Sequence, residues 1–268
     1  MAGGQPGGAS APLMEVRGLS VRFGGFQALK DVSWMVMPGE MLGIIGPNGA
    51  GKSTCFNAAT NVVKRDGRVF LRGREVTAEP PHRLAESGVR RTFQQNAFFN
   101  GMSVLENMLG VLQETHGSGL GVSVLLPWIA ARRRLEGVIA ARACLERFKV
   151  PGDLHDLLPT ELPYGTQRMF SIALAYADTR PGEAQCFMLD EPAAGLGGRD
   201  MALLAEVLGT LRQEGHAVVL IEHHMDLVME LADRIVVLEQ GQVLATGLPE
   251  AIQADERVLE AYLGRAAA

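Results

Sequence analysis

The residues that could do chemistry begin with a glycine-rich run that ends in Lys, Ser and Thr: Gly46, Pro47, Asn48, Gly49, Ala50, Gly51, Lys52, Ser53 and Thr54. Its spacing is G-x-x-x-x-G-K-S, in which the glycines let backbone N–H groups converge on one anion. Lys52 supplies a mobile positive charge for the outer phosphates of a nucleotide, and the Ser53 hydroxyl is a ligand for Mg²⁺. The run therefore predicts a loop that binds the phosphates of a nucleotide.

A second group is the acidic pair Asp190 and Glu191, which follows the apolar residues 187–189. A carboxylate at the end of a strand can hold Mg²⁺ directly or through water, and the next carboxylate can orient or polarise an attacking water. Such a pair alone is a weak signal, because many strands end in acids. Its position about 140 residues after a phosphate loop indicates nucleotide hydrolysis.

The elements that must position these residues follow from the apolar pattern around them. Residues 41–45 form a short apolar run typical of a buried strand, and residues 53–60 favour a helix. Strand, glycine loop and helix in this order place the positive end of the helix at the loop. Between residues 186 and 245 strands alternate with helices, which predicts a parallel sheet with its ligand at the carboxyl ends of the strands.

The remaining segments differ in pattern from this α/β part. Residues 13–23, 28–37, 68–71 and 75–76 read as strands of a small antiparallel sheet. From residue 98 to 177 the pattern is helical, and Ser103 with Glu106 forms the sequence of a capping box. Residues 1–12 are rich in Gly, Ala, Ser and Pro and predict a disordered tail, whereas Pro249 suits the start of a C-terminal helix.

Composition limits the class of protein. A chain of 268 residues, 47% of them hydrophobic, can build one sizeable core or two small lobes. Its formal charge of −5 offers no basic field to nucleic acid, and no apolar run is long enough to span a membrane. Cys55, Cys144 and Cys186 lack C-x-x-C spacing, so neither a disulfide framework nor a zinc site is expected of them, and a reducing cytoplasm fits.

Five further features resemble the motifs of one family, the ATP-binding subunits of ABC transporters. They are R-T-F-Q at 91–94, L-P-Y-G-T-Q at 162–167, A-A-G-L-G at 193–197, L-I-E-H at 220–223 and the aromatic residue Phe23. The resemblance covers residues 13–264. It implies a single ABC ATPase domain over residues 13–268, of α/β class with the P-loop NTPase fold. An α/β core with a mostly parallel sheet and an antiparallel β subdomain (13–97 and 178–268) would carry an inserted α-helical subdomain (98–177).

The resemblance also implies roles for individual residues at the γ-phosphate of ATP. Gln94 would bind Mg²⁺ together with Ser53 and Asp190, and would contact the attacking water. Glu191 and His223 would act on that water and on the γ-phosphate. The catalytic residues would therefore be Glu191, His223, Gln94 and, from the phosphate loop, Lys52.

Two more roles concern the adenine ring and a second subunit. Phe23 stands where the family has an aromatic residue that stacks on adenine, although it could also be a core residue. Gly165 would contact the ATP bound by a partner subunit. His224 stands where the family commonly has an acid, and no role is assigned to it.

The subfamily can be narrowed. The string G-V-R-R-T-F-Q at 88–94, the long insertion that follows it and the ending A-Y-L-G at 261–264 resemble the branched-chain amino acid import ATPases. The resemblance implies ATP and Mg²⁺ as cofactors, and membrane permease subunits, a second ATPase subunit and, indirectly, a solute-binding protein as partners. The two ATPase subunits would pair head to tail, as the same or related chains, at the cytoplasmic face of the cell membrane. Phe98 and Phe99 would either contact the permease or belong to the core.

Several alternatives stay open. The same cassette could power import of urea or other amides, or export of lipid or lipopolysaccharide. Pro163 stands in place of the usual signature serine, and Gly197 in place of the usual Asn or Asp. These departures put the turnover rate in doubt and motivate a third alternative, a nucleotide-binding regulator that barely hydrolyses ATP. A GTPase is disfavoured because the chain has no N-K-x-D string.

Overall fold

The computed structural model describes residues 11–92, 98–116, 127–177, 179–180 and 182–263. The described residues fall into two compact units, one within the ranges 1–89, 184–186 and 211–268 and the other within 90–183 and 187–210. The predicted α/β class is confirmed. Most of the predicted tail lies outside the described residues. The predicted division into 13–97, 98–177 and 178–268 stays a prediction.

Strands and helices are numbered in chain order. The strands are β1 (Met14–Phe23), β2 (Phe26–Val36), β3 (Met41–Ile45), β4 (Asp66–Leu71), β5 (Arg74–Glu75), β6 (Val89–Arg91), β7 (Cys186–Asp190), β8 (Ala217–Ile221), β9 (Arg234–Glu239) and β10 (Gln242–Gly247). The helices are α1 (Lys52–Ala59), α2 (Pro81–Glu86), α3 (Val104–His116), α4 (Pro127–Arg147), α5 (Tyr164–Ala177), α6 (Gly198–Gln213), α7 (Met225–Leu231), α8 (Pro249–Gln253) and α9 (Glu256–Leu263).

The first unit contains the predicted antiparallel sheet, with strand order β2-β1-β4-β5. It also contains strands in the order β10-β9-β3-β8, in which β3 runs parallel to β8 and to β9. Every residue of β3 and β8 is buried, as expected of parallel strands covered on both faces. Ile44 lies opposite Ile221, so β3 and β8 end at the same edge of the sheet.

The second unit is held together by helices around an aromatic core. The ring of Tyr176 on α5 lies 4.8 Å from that of Phe148 and 6.3 Å from that of Phe187 on β7. At the start of α3 the predicted capping box is confirmed. The Ser103 hydroxyl accepts the Glu106 N–H at 3.2 Å, and the Glu106 carboxylate accepts the Ser103 N–H at 2.8 Å.

Helix α2 and strand β6 were not predicted, and the C-terminal helix differs from its prediction. The Pro80-Pro81 pair looks like a helix breaker, yet Pro81 occupies the first turn of α2, where a missing N–H costs nothing. The short strand β6 follows it. The predicted C-terminal helix begins at Pro249 but ends at Gln253, and a new helix starts where the Asp255 carboxylate accepts the Arg257 N–H at 2.9 Å. Within the described ranges, no helix is both long enough and apolar enough to cross a membrane.

Candidate functional site

The phosphate loop has a backbone that only glycine allows at two positions. Gly46 and Gly51 have φ values of +153° and +100°. A Cβ on Gly46 would lie 2.1 Å from the Leu238 carbonyl oxygen, and one on Gly51 would lie 2.9 Å from the Ala28 carbonyl oxygen. Both contacts are with backbone atoms that cannot turn away, so the loop needs these glycines to keep its shape.

Lys52 is folded back over this loop. Its ammonium donates to the carbonyl oxygens of Gly46 at 2.7 Å and Pro47 at 3.2 Å, and the residue is only 8% exposed. The Ser53 side chain, in contrast, is exposed at the start of α1. The loop thus carries a preorganised positive charge and an accessible hydroxyl.

The helix that follows adds a second attraction for anions. The first α-helical hydrogen bond of α1 runs from the Cys55 N–H to the Gly51 carbonyl at 2.8 Å. The N–H groups of residues 52–54 therefore lie at the N-terminal end, where no helical carbonyl precedes them. This end carries a partial positive charge, so the helix, the glycine backbone and the Lys52 ammonium together fit a polyphosphate.

His223 lies at the same edge of the sheet as the phosphate loop, because β8 and β3 are adjacent and parallel. Its side chain is 48% exposed. The preceding residue, Glu222, has a fully buried side chain whose carboxylate accepts the backbone N–H of His223 at 3.1 Å. The first unit thus brings together two parts of the predicted site that are far apart in the sequence.

The acidic pair belongs to the second unit. Asp190 is the last residue of the buried strand β7 and is 7% exposed. Glu191 has a φ of +47°, which is unfavourable for a residue with a side chain and costs on the order of 1–3 kcal/mol. Residues with this backbone are enriched at active sites, although five others among the described residues also have a positive φ: Asp31, Asn61, Arg72, Lys149 and Gln240. Desolvation lowers the pKa of the nearby Arg91, and attraction to Asp190 partly offsets this decrease.

The predicted signature glycine, Gly165, lies in the first turn of α5, also in the second unit. A Cβ there would lie 2.3 Å from the Asp200 carboxylate, so the helix start and this side chain are tightly packed. Pro163 precedes the helix, and its carbonyl accepts the Gln167 N–H at 3.0 Å. The missing N–H of Pro163 therefore does not disturb the helix itself.

Phe23 and Phe26 face each other across the β1–β2 turn and are 53% and 68% exposed. The alternative that Phe23 is a core residue is therefore wrong. Exposed aromatic rings at a turn can stack on a flat ligand. Sequence reasoning singled out only Phe23, although the second ring stands three positions later.

The second unit also has a cavity of about 210 Å³, lined by Arg91, Thr92, Phe98, Phe99, Asn107, Val111, Ser171, Leu174 and Ala175. Phe98 stacks on the buried Phe170 with ring centroids 4.8 Å apart, whereas Phe99 is 67% exposed. The buried Asn107 amide donates to the carbonyls of Phe99, Met102 and Ser103 and accepts the Phe99 N–H. No sequence pattern pointed to this side chain, which fixes the loop that carries both aromatic residues.

Two groups beside the phosphate loop, the buried Cys55 and the partly buried Tyr262, have raised pKa values. Burial raises the pKa of the Cys55 thiol to about 11, and the Trp34 indole N–H, 3.3 Å from its sulfur, partly offsets this. Burial also raises the pKa of Tyr262 on α9 to about 12, with an opposing effect from the Gly46 backbone. Both groups stay protonated at neutral pH. Gln94 lies outside the described residues, so its predicted role stays a prediction.

Two family models match the chain. The model described as "ABC transporter" matches residues 29–194, and the one described as "Branched-chain amino acid ATP-binding cassette transporter" matches residues 242–268. The first match contains the phosphate loop and the acidic pair.

Similar proteins cover almost the whole length. The chain is 39% identical to the high-affinity branched-chain amino acid transport ATP-binding protein LivG of Escherichia coli (strain K12), over 96% of this chain and 100% of LivG. It is 40% identical to BraF, which carries the same description, of Pseudomonas aeruginosa (strain PAO1), over 96% of this chain and 100% of BraF. The ADP conformation of MJ1267, an ATP-binding cassette of an ABC transporter, is similar in structure, with a TM-score of 0.79 and 30% identity over 95% of this chain and 99% of that one.

Proposed function

The chain belongs to the ABC transporter ATP-binding family, and from this premise we propose that it binds and hydrolyses ATP to power an importer of branched-chain or related amino acids. The main support is the phosphate loop, where the glycine backbone, the α1 N-terminus and Lys52 fit a triphosphate. The substrate class is supported by the match at residues 242–268 and by the described activity of LivG and BraF.

We propose that ATP is hydrolysed by in-line attack of a water molecule on the γ-phosphate. Lys52 exchanges its bonds to the loop carbonyls for bonds to the phosphate oxygens and neutralises charge there. Glu191 orients and polarises the water, and His223 contacts the γ-phosphate. Gln94 contacts the same water.

Mg²⁺ would be held by Ser53, Asp190 and Gln94, all of which offer the oxygen ligands that this ion prefers. The exposed Ser53 hydroxyl next to Lys52 fits this role. When bound, the ion neutralises negative charge on the phosphate oxygens during transfer.

A second ATPase subunit would contribute Gly165 to the nucleotide. The first turn of α5 offers backbone N–H groups and the positive end of a helix to the γ-phosphate of the ATP held by the other subunit. Pro163 cannot add the hydroxyl of the usual serine, which favours the alternative of a slow regulator. ATPase rates measured with and without permease distinguish a transport ATPase from a slow regulator. The rate of a transport ATPase rises in the complex with the permease, whereas that of the regulator stays low.

The cavity beside Phe99 is proposed to receive a cytoplasmic loop of the permease, which would hold the chain peripherally at the cytoplasmic face of the membrane. An exposed aromatic ring at the rim of an apolar cavity is typical of a binding anchor. Phe98 instead supports the cavity from inside through Phe170. In this arrangement Phe99 contacts the permease, whereas Phe98 packs within the chain.

Reconstitution with its permease and binding protein tests the proposed function. Proteoliposomes that contain the complex are expected to accumulate labelled leucine, isoleucine or valine only when ATP is enclosed on the side of this chain. Accumulation of urea or an amide instead, or outward movement of lipid, would favour the corresponding alternative.

Replacing Phe99 with alanine is expected to weaken association with the permease about tenfold, because loss of an anchoring aromatic residue costs more than about 1 kcal/mol. Co-purification of the permease with tagged variants measures this, and the ATPase rate of the isolated chain should not change. Leu135→Ala is the matched control, since Leu135 is 61% exposed on α4 and does not line the cavity. Equal permease recovery for both variants would contradict the proposed docking site.

Replacing Phe23 with alanine is expected to weaken ATP binding about tenfold, because stacking of a base on an aromatic ring contributes about 1–3 kcal/mol. Affinity for inorganic triphosphate, which has no base, should stay the same. Calorimetric titration of both ligands measures the difference. Phe26→Ala is the comparison, and an effect confined to that variant would transfer the stacking role to Phe26.

A further inference from the structure

Three consecutive residues with metal-binding side chains, Glu222, His223 and His224, follow β8. The imidazoles of the two histidines both approach one carboxylate oxygen of the glutamate. The Nδ1 atom of His224 lies 3.1 Å from Glu222 Oε2, and the Nδ1 atom of His223 lies 3.8 Å from the same oxygen. One ligand atom from each residue can be chosen so that all three lie within 4.8 Å of one another. We propose that Glu222, His223 and His224 bind a transition-metal ion such as Zn²⁺.

The spacing suits a tetrahedral ion. With metal–nitrogen and metal–oxygen bonds of about 2.0–2.1 Å, neighbouring ligand atoms of a tetrahedral zinc site lie about 3.3 Å apart. The two observed distances from Glu222 Oε2, 3.1 and 3.8 Å, fall on either side of this value. The three ligand atoms lie within 4.8 Å of one another, so the two imidazole rings, whose centroids are 4.3 Å apart, must rotate to bring all three to this spacing.

The carboxylate is fixed before any ion arrives. The Glu222 side chain is fully buried, and its Oε2 atom accepts the backbone N–H groups of His223 at 3.1 Å and His224 at 3.4 Å. The imidazoles are 48% and 34% exposed, so the cluster opens to solvent on their side. A metal ion can enter there and take water as its fourth ligand, as in three-ligand zinc sites.

The chemistry of the donors separates this site from the Mg²⁺ site of the ATPase. Imidazole nitrogen favours Zn²⁺, Ni²⁺, Co²⁺ and Cu²⁺, whereas Mg²⁺ favours carboxylate, hydroxyl and water oxygens. Two histidines and one glutamate therefore select a transition metal in the presence of excess Mg²⁺.

Metal binding at this cluster is expected to affect ATP hydrolysis, an inference that rests on the proposed function. His223 is there assigned to the γ-phosphate, and a nitrogen bound to Zn²⁺ holds the ring in the cluster with Glu222. Metal binding and ATP turnover are then antagonistic. His224 has no part in the proposed hydrolysis, but metal binding depends on it, because without it only two protein ligands remain.

Titration with Co²⁺, whose visible absorption reports tetrahedral ligands, tests the site directly in the untagged chain without nucleotide. One Co²⁺ per chain is expected, displaced by Zn²⁺. His224→Ala should weaken binding by at least about 100-fold, since even loss of an outer-shell partner costs about 10- to 100-fold. His82→Ala removes an exposed histidine on α2 and should bind as the parent does.

His224→Asn is the second variant if the alanine variant does not fold, because it keeps a polar side chain without an imidazole. Co²⁺ affinity that is equal in the parent and in either folded His224 variant would overturn the metal site.

ATPase assays test the antagonism. Zn²⁺ is expected to inhibit the parent in the presence of Mg-ATP, reversibly with a chelator, and not to inhibit His224→Ala, whose basal rate should match the parent. If the parent binds Co²⁺ but Zn²⁺ does not inhibit its ATPase activity, or inhibits the parent and His224→Ala equally, the antagonism is overturned. A parent that hydrolyses no ATP at all would contradict the proposed function, while the Co²⁺ titration would still decide the metal site.

Discussion

Replacing Glu191 with glutamine is expected to lower the kcat of ATP hydrolysis by about 10²- to 10⁴-fold, the range that a positioned general base contributes. Glutamine has the same shape but cannot accept a proton, so ATP affinity should be retained. The variant should therefore accumulate as a closed, ATP-bound pair of subunits. Phosphate release measures the rate, and size-exclusion chromatography with ATP measures the pairing.

The unusual backbone at Glu191 does not complicate the comparison of the parent with Glu191→Gln. Its φ of +47° strains glutamate and glutamine alike, so the melting temperature should change little. Glu260→Gln, an exposed carboxylate on α9, is the control for loss of one negative charge. Hydrolysis at the parent rate would show that Glu191 is not the catalytic group, and the proposed role would pass to another residue.

Replacing Lys52 with alanine is expected to raise the Kd for ATP about 100-fold. The ammonium forms charge-assisted hydrogen bonds, each of which contributes about 1.5–3 kcal/mol, and no neighbouring group in the loop can replace its positive charge. Equilibrium titration with a fluorescent ATP analogue measures the affinity. Unchanged affinity would contradict the assignment of residues 46–54 as the nucleotide site.

Two comparisons separate loss of charge from damage to the loop. Lys52 also donates to the carbonyls of Gly46 and Pro47, so its removal could loosen the loop itself. Lys52→Met keeps most of the packing of the aliphatic stem and should lose as much affinity as Lys52→Ala if charge is the cause. Lys64→Ala removes an exposed lysine just beyond α1 and should bind ATP as the parent does.

Patterns read over a few residues predicted most elements correctly, because their causes are local. The capping box at Ser103 and Glu106 needs only one helical turn, and it forms as predicted. Helix α2 was not predicted, because proline is common both in turns and in the first turn of a helix. Only the structure shows that this segment is helical and that it buries Leu84, which is 1% exposed.

Phe98 and Phe99 show the limit of such reasoning. The sequence offers two adjacent aromatic residues and no basis for choosing which is buried. The structure assigns Phe98 to the packing against Phe170 and leaves Phe99 exposed, with Asn107 holding the loop between them and α3. That division depends on the position of α5, which is far away in the sequence.

The sequence by itself determined the phosphate loop and the family, since glycine spacing, one lysine and the following helix start act within a single stretch of chain. Only the tertiary structure decided that β8 lies beside β3, which brings His223 to the edge of the sheet where the loop begins. It also decided that Glu222 is buried beneath two imidazoles. Strand pairing and burial join residues that are distant along the chain, and no local pattern specifies which of them will meet.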